Sequence, residues 1–494
     1  MNKRLFWLVL FVTLAIRTFL ASRVPIIGDE AYYYMWGKYP ALGYFDHPPM
    51  IGWISAAIRL LGTNRIVLRL PALLLSVGMA PMFVDLLKRR VGAERAYLAG
   101  AIFLLAPVHA LNFFYATEVP LVFFCFVSVF FYEKAVREER SAFAAAAGAA
   151  LGLAFLSKYF AVLIGVSYLA HAIFWRRSRA VWKTLIITTV CSLPFVALHL
   201  YWSYTHCWAT VAFNLGGRNV LQFFHIEYVE QFLLYQLYLL GPALLYALVR
   251  RFSAFRAELR STGDSVFLIG YLIPIALFLY SSFHASQGLH WTLAFYPLLY
   301  VATGLALEAR ELRIALWIQG LFTALQAAVL LVIAFVPVEH WKDRGFYGGL
   351  MLSFHAPAIA QALDETTPED VPIATDGYTE ESLLETYSNR RISIIGEGVL
   401  FGREDDLLTD FRQWDGKDVV IFTRHARNVS EYAPYFDSIE RDDWQWMGSP
   451  YYLFHAHGFK YSVYRDGMLA GIRAENYKIP SWLPKPQCPI WDRY

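Results

Sequence analysis

Residues 5–34 read LFWLVLFVTLAIRTFLASRVPIIGDEAYYY, an apolar run that ends in two adjacent carboxylates and three tyrosines. The apolar part, residues 5–22, has the length of a bilayer crossing, which takes about 17–25 residues. Arg17 interrupts this part and no small-residue cleavage site follows it, so we interpret it as a membrane span and not as a cleaved signal peptide. Asp29 and Glu30 are then expected just outside the first span.

The composition of the whole chain agrees with a membrane location. Of its 494 residues, 57% are hydrophobic, 17% aromatic and 17% charged, and the mean hydropathy is +0.39. Soluble proteins are about 45–50% apolar and about 25% charged, so an ordinary soluble enzyme and a disordered chain are both excluded. The net charge of +3 gives no reason to expect nucleic acid, and four cysteines in this length exclude a disulfide scaffold.

Further apolar blocks follow the first along the chain. Together they predict about eleven transmembrane helices. The blocks are 5–22, 71–87, 96–113, 119–133, 142–157, 159–175, 184–201, 230–249, 265–281, 291–307 and 314–336.

Lysine and arginine residues concentrate in alternate gaps between these blocks, and the positive-inside rule assigns such gaps to the cytoplasm. An odd number of spans then assigns residues 337–494 to the outer side, with loops 23–70, 114–118, 202–229 and 282–290. We therefore expect a polytopic α-helical protein of the inner (plasma) membrane. The basic gaps contain Lys3, Arg4, Lys88, Arg89, Arg90, Arg95, Lys134, Arg137, Arg140, Arg176, Arg177, Arg179, Lys183, Arg250, Arg251, Arg256, Arg260, Arg310 and Arg313.

The last third of the chain changes character. After a membrane domain at residues 1–336, residues 337–494 contain short apolar runs of strand length, and residues 380–388 have the composition of a helix. We predict a small extracytoplasmic α/β domain in this tail. It has no GxGxxG and no P-loop motif, so no nucleotide site is expected. The predicted strands are 371–376, 392–396 and 418–423.

The first outer loop, residues 23–70, contains acids and a histidine. Asp29 and Glu30 begin a stretch with helical spacing of aromatic residues, so the pair either caps a helix or takes part in acid–base chemistry. His47 precedes two prolines that fix the backbone, and it is either a turn residue or a donor to a phosphate.

Two charged residues stand at other outer turns. Lys158 lies in a hairpin between two spans, where the positive-inside rule disfavours it. It either extends to a lipid phosphate or binds an anionic ligand at the outer leaflet. Glu118 opens the fourth span, and it either caps that helix or acts together with the acids of the first loop.

Histidine and cysteine patterns give weaker signals. His455 and His457 either coordinate a metal or form a surface pair on a strand, and no HExxH or CxxC motif occurs. Cys207 and Cys488 both fall on the predicted outer side and could form a disulfide.

In these outer motifs the chain resembles the GT-C superfamily of membrane glycosyltransferases, which use polyprenyl-phosphate sugars as donors. This superfamily includes the protein O-mannosyltransferases and the bacterial aminoarabinose transferase of lipid A. The resemblance covers about the first 335 residues, and Glu118 departs from the Asp-Pro that many relatives have. The matching segments are Asp29-Glu30-Ala31-Tyr32-Tyr33, Tyr44-Phe45-Asp46-His47-Pro48, Glu118 with Pro120, Ser157-Lys158, and His290-Trp291 with Pro297.

The resemblance implies transfer of a sugar from a polyprenyl-phosphate donor to an acceptor hydroxyl or phosphate at the outer face of the membrane, with inversion. The process would be envelope glycan, lipid A or protein glycosylation, and the acceptor a lipid, glycan or protein. No nucleic acid and no certain cofactor is implied, although a divalent cation beside the acidic loop is an alternative. The implied residues are Asp29, Glu30 and Glu118 for catalysis, Lys158, His47 and Arg218 for the donor phosphate, and Tyr33, Tyr44 and His290 for substrate binding.

Two other functions stay open from the sequence. A transporter or flippase of polyprenyl-linked sugars would suit a multi-span chain, but transporters often contain repeats and broken helices near the bilayer midplane. Here the polar groups gather at one predicted interface, which favours chemistry at a surface. A non-enzymatic assembly subunit would leave Asp29 and Lys158 without a role.

The predicted topology can be tested with a variant whose only cysteine is Cys488. Because the basic residues assign the tail to the outer side, we expect a membrane-impermeant thiol reagent to label this variant in intact spheroplasts. A variant with Cys191 alone, which lies in a predicted span, is the control and should stay unlabelled. Labelling of Cys488 only after lysis would place the tail in the cytoplasm.

Overall fold

The computed structural model describes residues 2–110, 113–175, 178–214, 224–260 and 265–494. The chain divides into two compact units, each discontinuous in sequence. The first unit comprises Met1–Arg23, Arg69–Leu198 and Leu221–Phe335, and the second comprises Val24–Leu68, His199–Val220 and Val336–Tyr494.

The first unit is built from the apolar blocks. Among the described residues, seven helices are long and apolar enough to cross a membrane, so the helical, membrane-type fold predicted from the sequence is confirmed. These helices are Asn2–Arg23, Arg65–Leu104, Glu118–Glu138, Arg179–Thr205, Ile226–Ala257, Ser265–Ser282 and Ala309–Phe335.

The difference between seven helices and eleven predicted spans has a structural origin. Blocks 71–87 and 96–113 lie largely in the single run Arg65–Leu104, which Gly92 interrupts with φ 80° and ψ 167°. This φ is readily adopted only by glycine, so the run consists of two helices joined at a bend. Three other blocks form shorter or mixed helices, and a count of eleven crossings stays a prediction. The shorter elements are Ser141–Ser157, Tyr159–Ala161, Val162–Ala170, His171–Trp175, Leu289–Phe295 and Tyr296–Ala306.

Two antiparallel helices of the first unit form a close hairpin. Glu118–Glu138 runs in one direction and Ser141–Ser157 returns, and the Oγ of Ser128 donates a hydrogen bond to the carbonyl of Ala147 at 2.9 Å. Because the return is short, the first residue of one helix and the end of the other lie at the same end of the hairpin. Gly148 lets the second helix approach Arg179–Thr205, since a Cβ there would lie 2.3 Å from the carbonyl oxygen of Thr188.

The second unit contains a five-stranded mixed sheet with the strand order β2-β1-β3-β5-β4. Its strands are β1 (Ile373–Thr375), β2 (Ile392–Ile394), β3 (Val419–Thr423), β4 (Ser438–Trp446) and β5 (Ser449–His457). Strands β2, β1 and β3 are parallel, whereas β5 pairs antiparallel with β3 and β4. The three parallel strands coincide with the three apolar runs expected from the sequence.

The hairpin of β4 and β5 was not expected from the sequence. Strand β4 is SIERDDWQW, which carries charges on its exposed positions and has no continuous apolar run. Met447 and Gly448 connect the two strands, and both have positive φ angles, 49° and 81°. The twist of a two-residue turn with positive φ angles matches the twist of the strands that it joins. The residues of the turn, and not an apolar run, therefore account for the pairing of β4 with β5.

The second unit also contains two segments that the sequence assigned to the membrane domain. Its last segment begins at Val336, but loop 24–68 and residues 199–220 belong to it as well. The disulfide between Cys207 and Cys488, separated by 281 residues, joins two of its segments. The pairing of these cysteines, one of two outcomes left open by the sequence, is therefore present.

The other helical elements are short. Helix Pro107–Ala110 belongs to the first unit, and the long run that contains Ile226–Ala257 ends at Arg260. Those of the second unit are Gly28–Met35, Met50–Arg59, Ala209–Ala212, Val338–Trp341, Tyr347–Thr366, Tyr378–Tyr387, Glu404–Leu408, Phe411–Trp414, Val429–Tyr432, Ala433–Tyr435, Tyr461–Tyr464, Arg465–Leu469, Ala470–Asn476 and Pro489–Asp492.

Candidate active site

In the first unit, three residues from the predicted outer turns come together. Glu118 is the first residue of its helix and Lys158 caps the end of Ser141–Ser157, so the hairpin brings them to the same end. The Nζ of Lys158 forms an ion pair with Oε1 of Glu118. The Nε2 of His290 lies 3.6 Å from the same oxygen. We call these three residues the lysine cluster.

The lysine cluster is largely removed from solvent. The side chains of Lys158 and Glu118 are each only 7% exposed, whereas that of His290 is 53% exposed. A buried charge is costly unless it is paired and hydrogen-bonded, and here each charge satisfies the other. The Oγ1 of Thr117 also donates to Oε2 of Glu118 at 3.3 Å. Lys158 is therefore a buried, paired ammonium and does not simply extend towards lipid headgroups.

In the second unit, the two acids of the first loop have different environments. Asp29 is exposed, and its Oδ1 accepts a hydrogen bond from the Oη of Tyr378 at 2.9 Å. Glu30 is only 1% exposed, and its Oε2 accepts a hydrogen bond from the backbone N–H of Ile27 at 3.3 Å. Glu30 thus caps the helix Gly28–Met35, and Asp29 is the acid of this pair that is open to solvent.

His47 lies beside an acid in the same loop. Its Nδ1 is 3.4 Å from Oδ1 of Asp46, and both side chains are buried. The Oη of Tyr32 donates to the same Asp46 oxygen at 3.3 Å. Tyr33 is half-buried, with its ring centroid 5.7 Å from that of His47. This arrangement places the imidazole of His47 between a carboxylate and an aromatic ring.

Tyr44 contributes to packing inside the second unit. Its side chain is fully buried, its ring stacks on Trp36 with centroids 4.1 Å apart, and its Oη donates to the carbonyl of Trp36 at 3.1 Å. Gly52 permits this position, because a Cβ there would lie 2.1 Å from the Tyr44 hydroxyl. A substrate would have no access to Tyr44 in this arrangement.

An acid from the tail fixes the segment that carries Asp46 and His47. Oε2 of Glu404 accepts a hydrogen bond from the backbone N–H of Phe45 at 2.6 Å. Burial raises the pKa of the Glu404 carboxyl well above its usual range, and the hydrogen bond from Phe45 only partly offsets this effect. The contact orients the backbone immediately before His47.

The structure therefore groups the residues predicted from the sequence in two places, one in each unit. Arg218 lies outside the described residues. Tyr378 was not expected from the sequence, because it is 349 residues from Asp29 and has no local motif that would reveal the contact. The site predicted from the sequence also lacked Asp46, although this acid stands in the quoted segment beside His47.

Among the described residues, no group of three or more His, Cys, Asp or Glu side chains could hold a metal ion. His455 lies on β5 with its Nε2 3.3 Å from Oδ2 of Asp442, and His457 has its Nδ1 2.9 Å from Oδ2 of Asp418. Each histidine of this pair thus contacts an acid near the surface of the sheet.

Comparison with known proteins relates part of the chain to a known family. Residues 46–202 match the model of the dolichyl-phosphate-mannose-protein mannosyltransferase family. Over 216 residues the chain is 32% identical to the lipid A galacturonosyltransferase RgtD of Rhizobium johnstonii. This match covers 40% of the chain and 45% of RgtD, so it spans less than half of that relative.

Solved structures extend the likeness to the fold of almost the whole chain. ArnT from Cupriavidus metallidurans bound to undecaprenyl phosphate superimposes with a TM-score of 0.64 at 16% identity, covering 90% of this chain and 97% of ArnT. The apo state of ArnT gives a TM-score of 0.63, also at 16% identity, covering 92% of this chain and 98% of ArnT. At such identity the likeness concerns the fold alone.

The partial family match, the relative and the solved structures agree with one another. They confirm the resemblance of the chain to the GT-C superfamily of polyprenyl-phosphate sugar transferases that the outer motifs indicated.

The burial of the Lys158–Glu118 pair predicts an asymmetric response to mutation. Lys158→Met should lower the free energy of unfolding by about 3–5 kcal/mol, because it leaves an uncompensated buried carboxylate. The double variant Lys158→Met/Glu118→Gln should recover much of this loss, since no unpaired charge remains. Unfolding can be followed in detergent by the loss of tryptophan fluorescence with denaturant.

The exposed pair of Arg313 and Glu94, with side chains 55% and 53% exposed, provides the matched control. Arg313→Met should change the unfolding free energy by less than about 1 kcal/mol. Equal losses at the two sites, or no recovery in the double variant, would show that burial of the Lys158–Glu118 pair does not determine its contribution.

Proposed function

We propose that this protein is a membrane glycosyltransferase that moves a sugar from a polyprenyl-phosphate donor to an acceptor hydroxyl. The observation that carries the proposal is the separation of the two acids in the first loop. Asp29 is exposed, with one oxygen hydrogen-bonded, whereas Glu30 is buried in a helix cap. One carboxylate of the motif is thus available for proton transfer, as a general base requires.

The proposed reaction is a single displacement at the anomeric carbon. The acceptor oxygen forms a bond to this carbon while the bond from the carbon to the phosphate oxygen breaks, and the polyprenyl phosphate leaves. The proton of the acceptor hydroxyl passes to Asp29. Because no covalent sugar–enzyme intermediate forms, the anomeric configuration is inverted.

The leaving phosphate gains negative charge as the bond breaks, and cations stabilise that charge. Lys158 is the proposed principal cation, because an ammonium has three N–H donors and can serve Glu118 and a phosphate together. His290 is half-exposed beside it. In the second unit, His47, next to Asp46, is a further proposed hydrogen-bond donor to the donor phosphate. Glu118 keeps Lys158 charged and oriented in this proposal.

The proposed location of the chemistry is the outer face of the inner membrane. The bias of basic residues towards alternate gaps supports this side. The Cys207–Cys488 disulfide gives independent support, since disulfides persist mainly in oxidising compartments outside the cytoplasm. Both cysteines belong to the second unit, which also carries Asp29 and His47.

The proposed acceptor is a lipid-linked glycan of the lipid A type. The 32% identity to a lipid A galacturonosyltransferase favours this acceptor over a protein. The likeness of the fold to an ArnT structure bound to undecaprenyl phosphate supports undecaprenyl phosphate as the lipid carrier.

The function can be tested with the purified full chain in liposomes. Incubation with an undecaprenyl-phosphate uronic acid and lipid A should yield glycosylated lipid A and free undecaprenyl phosphate in equal amounts, measured by mass spectrometry. Movement of the donor between leaflets without product would instead support a flippase. No product and no movement, with this donor and with other undecaprenyl-phosphate sugars, would contradict both functions.

The two acids of the first loop should respond differently to isosteric replacement. Asp29→Asn keeps the size and one hydrogen-bond acceptor but removes the base, so turnover should fall by about 10²–10⁴-fold with donor binding retained. Glu30→Gln keeps the carbonyl that caps the helix, and we expect a much smaller loss. Turnover at saturating donor, with donor affinity measured separately, decides between them. A fully active Asp29→Asn variant combined with an inactive Glu30→Gln variant would assign the base to Glu30.

A further inference from the structure

The residue that contacts Asp29 comes from the C-terminal tail. Tyr378 is the first residue of the helix Tyr378–Tyr387, and this helix follows β1. Its Oη donates to Oδ1 of Asp29 at 2.9 Å. No other hydrogen bond or ion pair to the Asp29 side chain occurs within the described parts of the chain, so Oδ2 is uncommitted.

The position of the Tyr378 ring is tightly specified by its neighbours. Gly402 lies beneath the ring with φ 71°, and a Cβ there would lie 2.1 Å from Cγ of Tyr378. The ring of Tyr32 packs edge-on against it, with centroids 5.2 Å apart and an interplanar angle of 68°. A side chain confined in this way loses little further entropy when it forms a hydrogen bond, so it can hold its partner in one orientation.

The backbone beside the two residues is also in close contact. Gly28 precedes Asp29 and Thr379 follows Tyr378, and a Cβ on Gly28 would lie 2.6 Å from Cγ2 of Thr379. The first turns of the helices Gly28–Met35 and Tyr378–Tyr387 therefore pack against each other. This contact sets the separation of the carboxylate and the phenol independently of the hydrogen bond between them.

We propose that Tyr378 is a positioning residue for the transfer reaction, and that the C-terminal domain thereby completes the catalytic group in the first loop. By engaging Oδ1, the phenol fixes the plane of the carboxylate and leaves Oδ2 to receive the proton of the acceptor hydroxyl. This inference rests on the proposed role of Asp29 as the base. It gives the tail a function in catalysis as well as in packing.

The chemistry of the phenol agrees with this role. Burial, followed by the nearby charge of Asp29, raises the pKa of the Tyr378 hydroxyl above its ordinary value, so the group stays protonated and remains a donor at neutral pH. Tyr378 does not exchange a proton with the acceptor in this scheme. The proton on its oxygen stays in place while the proton of the acceptor moves to the other carboxylate oxygen.

The decisive variant is Tyr378→Phe, which keeps the ring above Gly402 and against Tyr32 but removes the donor. We expect kcat to fall about 10- to 100-fold, which is the range for loss of a hydrogen bond to a charged group. The KM for the polyprenyl-phosphate sugar should be unchanged. The midpoint of unfolding should also stay unchanged. Tyr461→Phe is the matched control, since its hydroxyl donates to the carbonyl of Arg493 at 2.7 Å in the same unit, and its kcat should equal that of the parent.

A double variant separates positioning from a structural role. If Tyr378 acts through Asp29, then Tyr378→Phe should cause no further loss of kcat in the Asp29→Asn background. Equal losses in both backgrounds, or a normal kcat in Tyr378→Phe, would overturn the inference and leave the proposed base intact. Parent turnover in Asp29→Asn alone would instead refute the base, and the positioning role with it.

Discussion

A charge that leaves water must be paired, and this requirement organises the candidate site of the first unit. Glu118 begins the first helix of a hairpin and Lys158 follows the second, so both lie at the open end of the hairpin, and the ion pair between them is nearly inaccessible to solvent. Neither charge would be tolerated alone at such a depth. Removing a single ion from water costs more free energy than its remaining contacts in the protein recover. The hairpin register, fixed by contacts such as Ser128 with the Ala147 carbonyl, therefore also fixes the position of the Lys158 ammonium.

The same principle explains why the first loop folds with the tail in the second unit. The loop offers donors that its own residues do not satisfy, and acids of the tail accept from them. Glu385 accepts from the Tyr39 hydroxyl at 2.6 Å and lies 3.1 Å from the Lys38 ammonium. Glu404 accepts from the Phe45 backbone in the same manner. The conformation of the first loop thus depends on contacts with a segment that begins at Val336, far later in the chain.

How far the sequence predicts this structure depends on whether an interaction is local. Apolar blocks and the strands β1 to β3 have continuous patterns, so their places along the chain were predicted, although two of the blocks lie in one run and others form shorter helices. The polar strand β4 has no such pattern, and its pairing depends on the turn at Met447 and Gly448. The contact of Tyr378 with Asp29 joins residues with no relation in sequence, and no local signal indicates it. The residue types of the outer motifs identified them as candidates for the site, but the solvent exposure of each side chain could not be predicted from the sequence.

Burial distinguishes the three acids that the family resemblance implies for catalysis. Asp29 and Glu30 point about 100° apart on one helix, so only one of them can face a given atom. The capping role of Glu30 uses its carboxylate to satisfy the backbone of Ile27. Glu118 shares its charge with Lys158 and accepts from Thr117, so accepting a proton would break an arrangement that keeps the lysine charged. Asp29 has one oxygen oriented by Tyr378 and the other uncommitted, and proton acceptance there disrupts no ion pair. The chemical role therefore follows from environment and not from residue type.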